Sequence, residues 1–201
     1  MQQTQVHSGH LSKTRKLVAI PLFAAVAFIL QYLEFPLPLF PTFLKLDFST
    51  LPGLIGGLMF GPAAGVLIEL IKNILHLLLK NTDGLLVGEL ANFIAGASFI
   101  LVTVALQRVR GGKSGFVLGL LGGTILMTAV MSVANYYVLM PAYSVLYHMS
   151  LDALVASLHM DSLWSFILYA IAPFNLLKGI IVALIAYPIF IKLSPRLRYM
   201  A

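Results

Sequence analysis

Pro173-Phe174-Asn175-Leu176-Leu177-Lys178-Gly179 sets an amide and an ammonium inside an apolar segment running from Leu163 to Ile191. Asn175 and Lys178 stand three apart, so a helix puts both on one face. A cation near the middle of a membrane helix costs about 2.5–3.5 kcal/mol on insertion scales, so it turns toward a polar interior. We read this segment as the last helix of a membrane bundle whose interior requires a donor.

Composition agrees. Of 201 residues, 60% are hydrophobic and only 10% charged, and the mean hydropathy is +0.96. No water-soluble domain has this balance. The net charge of +6 does not indicate nucleic acid, because most basic residues flank apolar segments. Cysteine is absent, which excludes disulfides and thiolate-held metals. We expect a polar tail over residues 1–12 and one membrane domain over 13–201.

Lys13, Arg15 and Lys16 precede an apolar run from Leu17 to Leu33. These ~17 residues rise about 26 Å as a helix, just enough to span. A cleaved signal peptide is the rival reading, but no small-x-small cleavage site follows. Pro21 falls in the first turns, where proline is tolerated. From Phe35 to Phe48, Pro36, Pro38 and Pro41 prevent a continuous helix, while Phe35, Phe40, Phe43 and Phe48 make the stretch too apolar for a solvated loop. An extended segment tucked against the bundle mouth fits this pattern; a loop at the lipid interface is the alternative.

A short second helix is expected from Ser49 to Phe60 and a third from Ala63 to Leu79. Gly53, Gly57, Gly61 and Gly65 recur every four residues across the Gly61-Pro62 break, a pattern that lets membrane helices approach closely. On the third helix Glu69, Lys72, Asn73 and His76 form one polar stripe. It either lines a cavity or closes on itself as a Glu69–Lys72 pair. A fourth helix from Leu85 to Leu106 carries Glu89 and Asn92 on one face, and a basic loop, Arg108 to Ser114, follows. Gly112-Lys113-Ser114 imitates the end of a phosphate-binding loop, but Gln107 stands where the first glycine is required.

The fifth helix begins near Gly115 and shows a second stripe, Gly115, Gly119 and Gly123. It is expected to end at Asn135-Tyr136-Tyr137 before Pro141. That tripeptide either hydrogen-bonds and stacks a planar ligand or caps a helix with interfacial aromatics. Tyr143 to Ser162, with His148, Asp152, His159 and Asp161, reads as a short interfacial segment. Six spans with both termini cytoplasmic place Lys13, Arg15, Lys16, Arg108, Arg110, Lys113, Lys192, Arg196 and Arg198 inside. Lys45 and Lys80 then fall outside, as the positive-inside rule requires.

The chain resembles the riboflavin-specific substrate-binding subunits, of the RibU type, of bacterial energy-coupling-factor (ECF) vitamin transporters. The resemblance runs from about Lys16 to Lys192. It rests on Leu46-Asp47-Phe48-Ser49 with Pro52, Gly61-Pro62 with Gly65, Glu69-Leu70-Ile71-Lys72-Asn73, Gly88-Glu89-Leu90-Ala91-Asn92-Phe93, Asn135-Tyr136-Tyr137 and the opening heptapeptide. It implies an all-α membrane protein of six helices with a proline-rich outer loop over the ligand. Leu44, Lys45, Leu46 and Asp47 of that loop, with Asn135, Asn175 and Lys178, would then hold riboflavin, and Glu69, Lys72, Asn73, Glu89 and Asn92 would support them.

The resemblance further implies a multi-pass protein of the bacterial cell membrane. It would work with a membrane-embedded coupling subunit and two cytoplasmic ATPases, without a cofactor of its own, riboflavin being cargo. The family's docking patch, an alanine-x-x-x-alanine on helix 1, corresponds to Pro21 and Ala25, so its first alanine is replaced. The residues themselves agree on binding chemistry, since amide and ammonium donors with aromatics suit a planar ligand polar along one edge. They leave open another vitamin or a flavin derivative such as FMN. An intramembrane enzyme would need a nucleophile–base pair or a metal set that the sequence lacks, and no segment has a channel-filter pattern.

Overall fold

A computed structural model describes residues 8–80 and 86–197, with side chains over 14–80 and 86–193. Met1–His7, the connection 81–85 and Arg198–Ala201 lie outside the described residues. The helices are α1 (Ser8–Tyr32), α2 (Thr50–Phe60), α3 (Pro62–Leu79), α4 (Leu86–Arg110), α5 (Gly112–Ala134), α6 (Met140–Leu146), α7 (Leu151–Ser157), α8 (Leu163–Phe166) and α9 (Ala172–Leu197). Strands β1 (Phe35–Pro36) and β2 (Lys45–Leu46) pair antiparallel, Phe35 opposite Leu46. Among the described residues, five helical rods are long and apolar enough to cross a membrane, including Gly112–Leu146 and Leu163–Leu193. The short second helix expected from sequence is α2, whose 11 residues rise about 16 Å, roughly half a hydrocarbon core.

Several boundaries differ from the sequence reading. α1 is already formed at Ser8, so Ser8–Ser12 is helix rather than tail, and Pro21 lies well inside α1. Arg108 to Ser114 is not a loop: α4 runs to Arg110, Gly111 breaks the chain at φ +69°, and α5 starts at Gly112. Nor does the fifth helix end before Pro141. Asn135–Leu139 forms a π turn, closed by the Met140 N–H donating to the Asn135 carbonyl, and the rod continues through α6. The widened turn relieves the clash that a proline ring makes with the preceding turn of a regular α-helix. A second π turn, Ile167–Ile171, joins α8 to α9, and α9 extends past Ile191 to Leu197.

The helices pack in the order α1–α3–α4–α5–α9, with α2 wedged against α1, α3, α4 and α9. Both glycine stripes lie at these contacts. A Cβ at Gly65 would sit 2.8 Å from the Gly53 carbonyl oxygen and 3.1 Å from the Gly57 Cα, so α2 and α3 touch along their backbones. A Cβ at Gly119 would fall 2.5 Å from the Thr103 carbonyl oxygen on α4. Gly115 instead faces Arg110 and Gln107 near the chain break.

The exposed surface is apolar: Leu17, Leu22, Ile125, Tyr169 and Leu184 are all open. The interior holds Glu69, Lys72, Asp47, Asn73 and Gln31 beside aromatic and aliphatic packing such as the Phe116–Phe190 stack, with centroids 4.0 Å apart. A water-soluble protein cannot present this arrangement, but lipid can solvate the outside.

Replacing Gly119 by valine should drive α4 and α5 apart. We expect G119V to lose about 1–3 kcal/mol, as overpacking does, and Ile125→Leu on the open face to stay within about 0.5 kcal/mol. Melting in detergent, followed by helical circular dichroism, checks both.

Candidate functional site

Between β2 and α2, Asp47 turns inward and is 1% exposed. It accepts from the Ser49 N–H at 2.8 Å and from the Ser49 hydroxyl. Lys178 of α9 reaches its Oδ2 at 2.9 Å, and Asn92 of α4 donates to the same oxygen at 3.3 Å. Burial alone would raise the Asp47 pKa, but Lys178 and Lys72 beside it, with the Ser49 and Lys178 hydrogen bonds, hold it well below the ordinary carboxylate range. Asp47 therefore stays ionised at neutral pH. Neither Glu69 nor Glu89 is the partner of Lys178. The partner comes from the loop, 131 residues away.

Lys72 lies next to this pair. Its ammonium meets Glu69 Oε2 at 2.7 Å, with both side chains fully buried, and it donates to the Ser49 hydroxyl and, at 3.4 Å, to Asn92 Oδ1. Two carboxylates and two ammoniums thus share one interior and balance in charge. Gly53 and Gly96 make room for the Glu69 carboxylate, since a Cβ at either would press on it. Asn73 donates to the Glu69 carbonyl at 2.8 Å and accepts from Gln31 at 3.2 Å.

A cavity with an open mouth lies beside the network. Leu44, Lys45, Asn135, Asn175 and Lys178 line it, as do Glu89 and Asn92. Leu46 and Asp47 are buried next to the cavity rather than on its wall, and Glu69, Lys72 and Asn73 stand behind it. Of the two readings of the α3 stripe, geometry therefore favours the closed Glu69–Lys72 pair, with His76 alone of the four on the cavity wall.

Asn135 and Asn175 each donate to the carbonyl four residues earlier, Met131 at 2.8 Å and Ile171 at 2.9 Å. Each bond fixes an amide on the wall with its oxygen uncommitted to the helix. The cap reading of Asn135-Tyr136-Tyr137 fails because the helix continues. The tyrosines do not flank the cavity either: Tyr137 is exposed and Tyr136 packs on Trp164, centroids 5.5 Å apart.

Sequence reasoning missed several wall residues. Gln31, Glu34, Phe43, Tyr143 and Phe174 all line the cavity. Gln31 was detectable as an amide in the apolar run of helix 1, and Glu34 as a carboxylate at its end. The aromatics had no such mark. Phe40 meets the Phe174 ring edge-on at 5.4 Å, and Phe43 packs on Tyr143 at 5.6 Å and on Phe166 at 6.2 Å. Through Phe40 and Phe43 the proline-rich segment packs on the helices.

A cavity that mixes apolar side chains with amides, two ammoniums and two carboxylates defines a membrane receptor for a small polar-edged molecule. The chain belongs to the family described as ECF transporter, substrate-specific component, whose profile matches residues 15–190. That family consists of transporter components rather than enzymes. Among similar proteins is the riboflavin transporter FmnP of Bacillus subtilis, 40% identical over 91% of this chain and 94% of its own. The riboflavin transporter RibU of Staphylococcus aureus is 35% identical over 92% and 93%. A solved structure reported under "Structure and mechanism of the S component of a bacterial ECF transporter" superposes with a TM-score of 0.74 at 34% identity, covering 92% of this chain and 98% of that one.

The buried pair yields a direct test. Glu69→Gln or Lys72→Met alone leaves a charge uncompensated and should cost about 3–5 kcal/mol, whereas the double variant should lose distinctly less. Thermal unfolding of the four proteins in detergent measures the coupling.

Proposed function

We propose that this chain is the riboflavin-binding subunit of an ECF transporter, holding the vitamin at the outer face of the membrane. The observation that carries the reading is the set Asn135, Asn175 and Lys178 on one cavity wall, in a chain 40% and 35% identical to two riboflavin transporters. Lys178 and the amides meet the polar edge of the isoalloxazine ring, while Phe43, Leu44, Leu139, Tyr143 and Phe174 cover its faces. Leu46 and Asp47 contribute through the loop backbone and through Lys178. FMN presents the same ring edge and differs by the phosphate on its side chain, whereas another vitamin would need a different set of edge contacts.

Six helices cross or enter the membrane with both termini cytoplasmic, α2 and α3 together completing the frame. Energy comes from a membrane-embedded coupling subunit and two ATPases, since no nucleotide-hydrolysis motif exists in the chain. Pro21 and Ala25 share the exposed side of α1, where a coupling subunit can dock. Ala24 and Ala27 face inward against Ile68.

Protein purified in detergent from cells should carry a flavin absorption spectrum near one equivalent. Colourless protein that takes up no added riboflavin would remove the vitamin from the reading. Lys178→Ala should weaken riboflavin binding about 10- to 150-fold in a fluorescence-quenching titration, the worth of a charged hydrogen bond. Lys178→Ala binding as tightly as the wild type would withdraw Lys178 from the site.

The loop 35–48 acts as an outer lid, mobile when the cavity is empty and ordered over the ligand. Its amides should exchange more slowly at saturating riboflavin. Identical exchange in both states would leave it a static roof.

A further inference from the structure

Away from the ligand cavity, α2, α5 and α9 enclose a crevice whose lining side chains are all apolar. Leu54, Phe116 and Phe190 form its buried side, the two rings stacked 4.0 Å apart. Leu58, Ile189 and Leu193 on its wall are half-buried. From Leu51 to Leu58 it follows α2 for about 10 Å.

One end of this crevice is ringed by cations. Lys113 stands one turn before Phe116 on α5, and Lys192 adjoins Leu193 on α9, one turn after Ile189. Arg108 of α4 lays its guanidinium against Gly61, three residues past Leu58 at the end of α2; a Cβ there would sit 3.3 Å from Nη2. All three cations are exposed, and among the described residues none is held in an ion pair. The sequence gives the reason: none of the seven carboxylates lies on α2, α5, α9 or the second half of α4. Membrane orientation accounts for basic residues at this end of the bundle. It does not account for an apolar slot between them.

An uncompensated cationic rim over an apolar slot fits an anionic head with an aliphatic tail. We propose that the crevice binds an anionic phospholipid of the adjoining leaflet, its phosphate among Arg108, Lys113 and Lys192 and one acyl chain against Phe116 and Phe190. A soluble phosphate would leave the slot unfilled. A partner helix is about 10–12 Å across, too wide for a slot between α9 and the two helices, α2 and α5, that already pack on it. A single acyl chain is slim enough to enter.

Dioleoylphosphatidylglycerol and dioleoylphosphatidylcholine share their acyl chains and differ in headgroup charge, so together they test the site. Detergent-purified full chain, stripped of lipid, is titrated with each, and bound lipid is counted by native mass spectrometry. One phosphatidylglycerol should be held at least about 10-fold more tightly than phosphatidylcholine, and free glycerol phosphate should not displace it. The triple variant Arg108→Gln, Lys113→Gln, Lys192→Gln should erase the preference. Ala186→Phe fills the crevice and keeps the charges, and should weaken phosphatidylglycerol about 10-fold as well; Leu58→Phe takes its place if that variant does not fold. Equal affinity of the wild type for the two lipids would overturn the proposal. A preference that survives the filled crevice, or displacement by glycerol phosphate, would reduce the rim to a nonspecific basic surface and overturn it too. A wild-type dimer that Ala186→Phe splits, with lipid binding unchanged, would give the crevice to a second copy of this chain instead.

Discussion

Four charges buried in one membrane interior have to balance. Asp47, Glu69, Lys72 and Lys178 do so pairwise, through Lys178–Asp47 at 2.9 Å and Lys72–Glu69 at 2.7 Å, with Ser49 and Asn92 joining the two pairs. Removing any one charge strands its partner in a medium that solvates ions poorly, so the four act as a unit. Much of the architecture accommodates them. Gly53 and Gly96 leave space for Glu69, and α2 holds Ser49 at its start.

The same unit ties the proline-rich segment to the bundle. Asp47 is the loop's polar anchor, while Phe40 and Phe43 are its apolar ones, set on Phe174, Tyr143 and Phe166. Lys178 therefore belongs to two systems, the buried pair and the cavity wall. A charge placed in the cavity beside Lys178 would alter the field that Asp47 experiences. Loop, lysine and cavity are in direct contact.

The cavity walls reflect an economy of helix geometry. Asn135 and Asn175 sit in or just beyond a π turn, where an extra residue re-aims the side chains that follow. Each spends its donor on the preceding turn and keeps its oxygen for the cavity. On the other side, α1 and α3 bring Gln31 and His76 together through Asn73 and Glu89. Both groups line the same cavity.

Much of this was legible in the chain alone. Long apolar runs bounded by basic residues specify membrane helices whatever their neighbours, because lipid allows little else. Polar residues three or four apart, such as Glu69 and Lys72 or Asn175 and Lys178, mark inward faces for the same reason, and the four-residue glycine spacing marked close contacts. Other features depended on distant partners and left no local sign. The π turn that carries one rod past Pro141 is invisible to periodicity, since residue pattern does not encode one extra residue in a turn. Gly111 allowed α4 and α5 to meet at a single residue where basic composition suggested a loop. Above all, Lys178 could have paired with Glu69, Glu89 or Asp47 by charge alone. Only the folded packing, which brings residue 47 to α9 while closing Glu69 onto Lys72, selects Asp47, because an ion pair is determined by distance in space rather than separation in the chain.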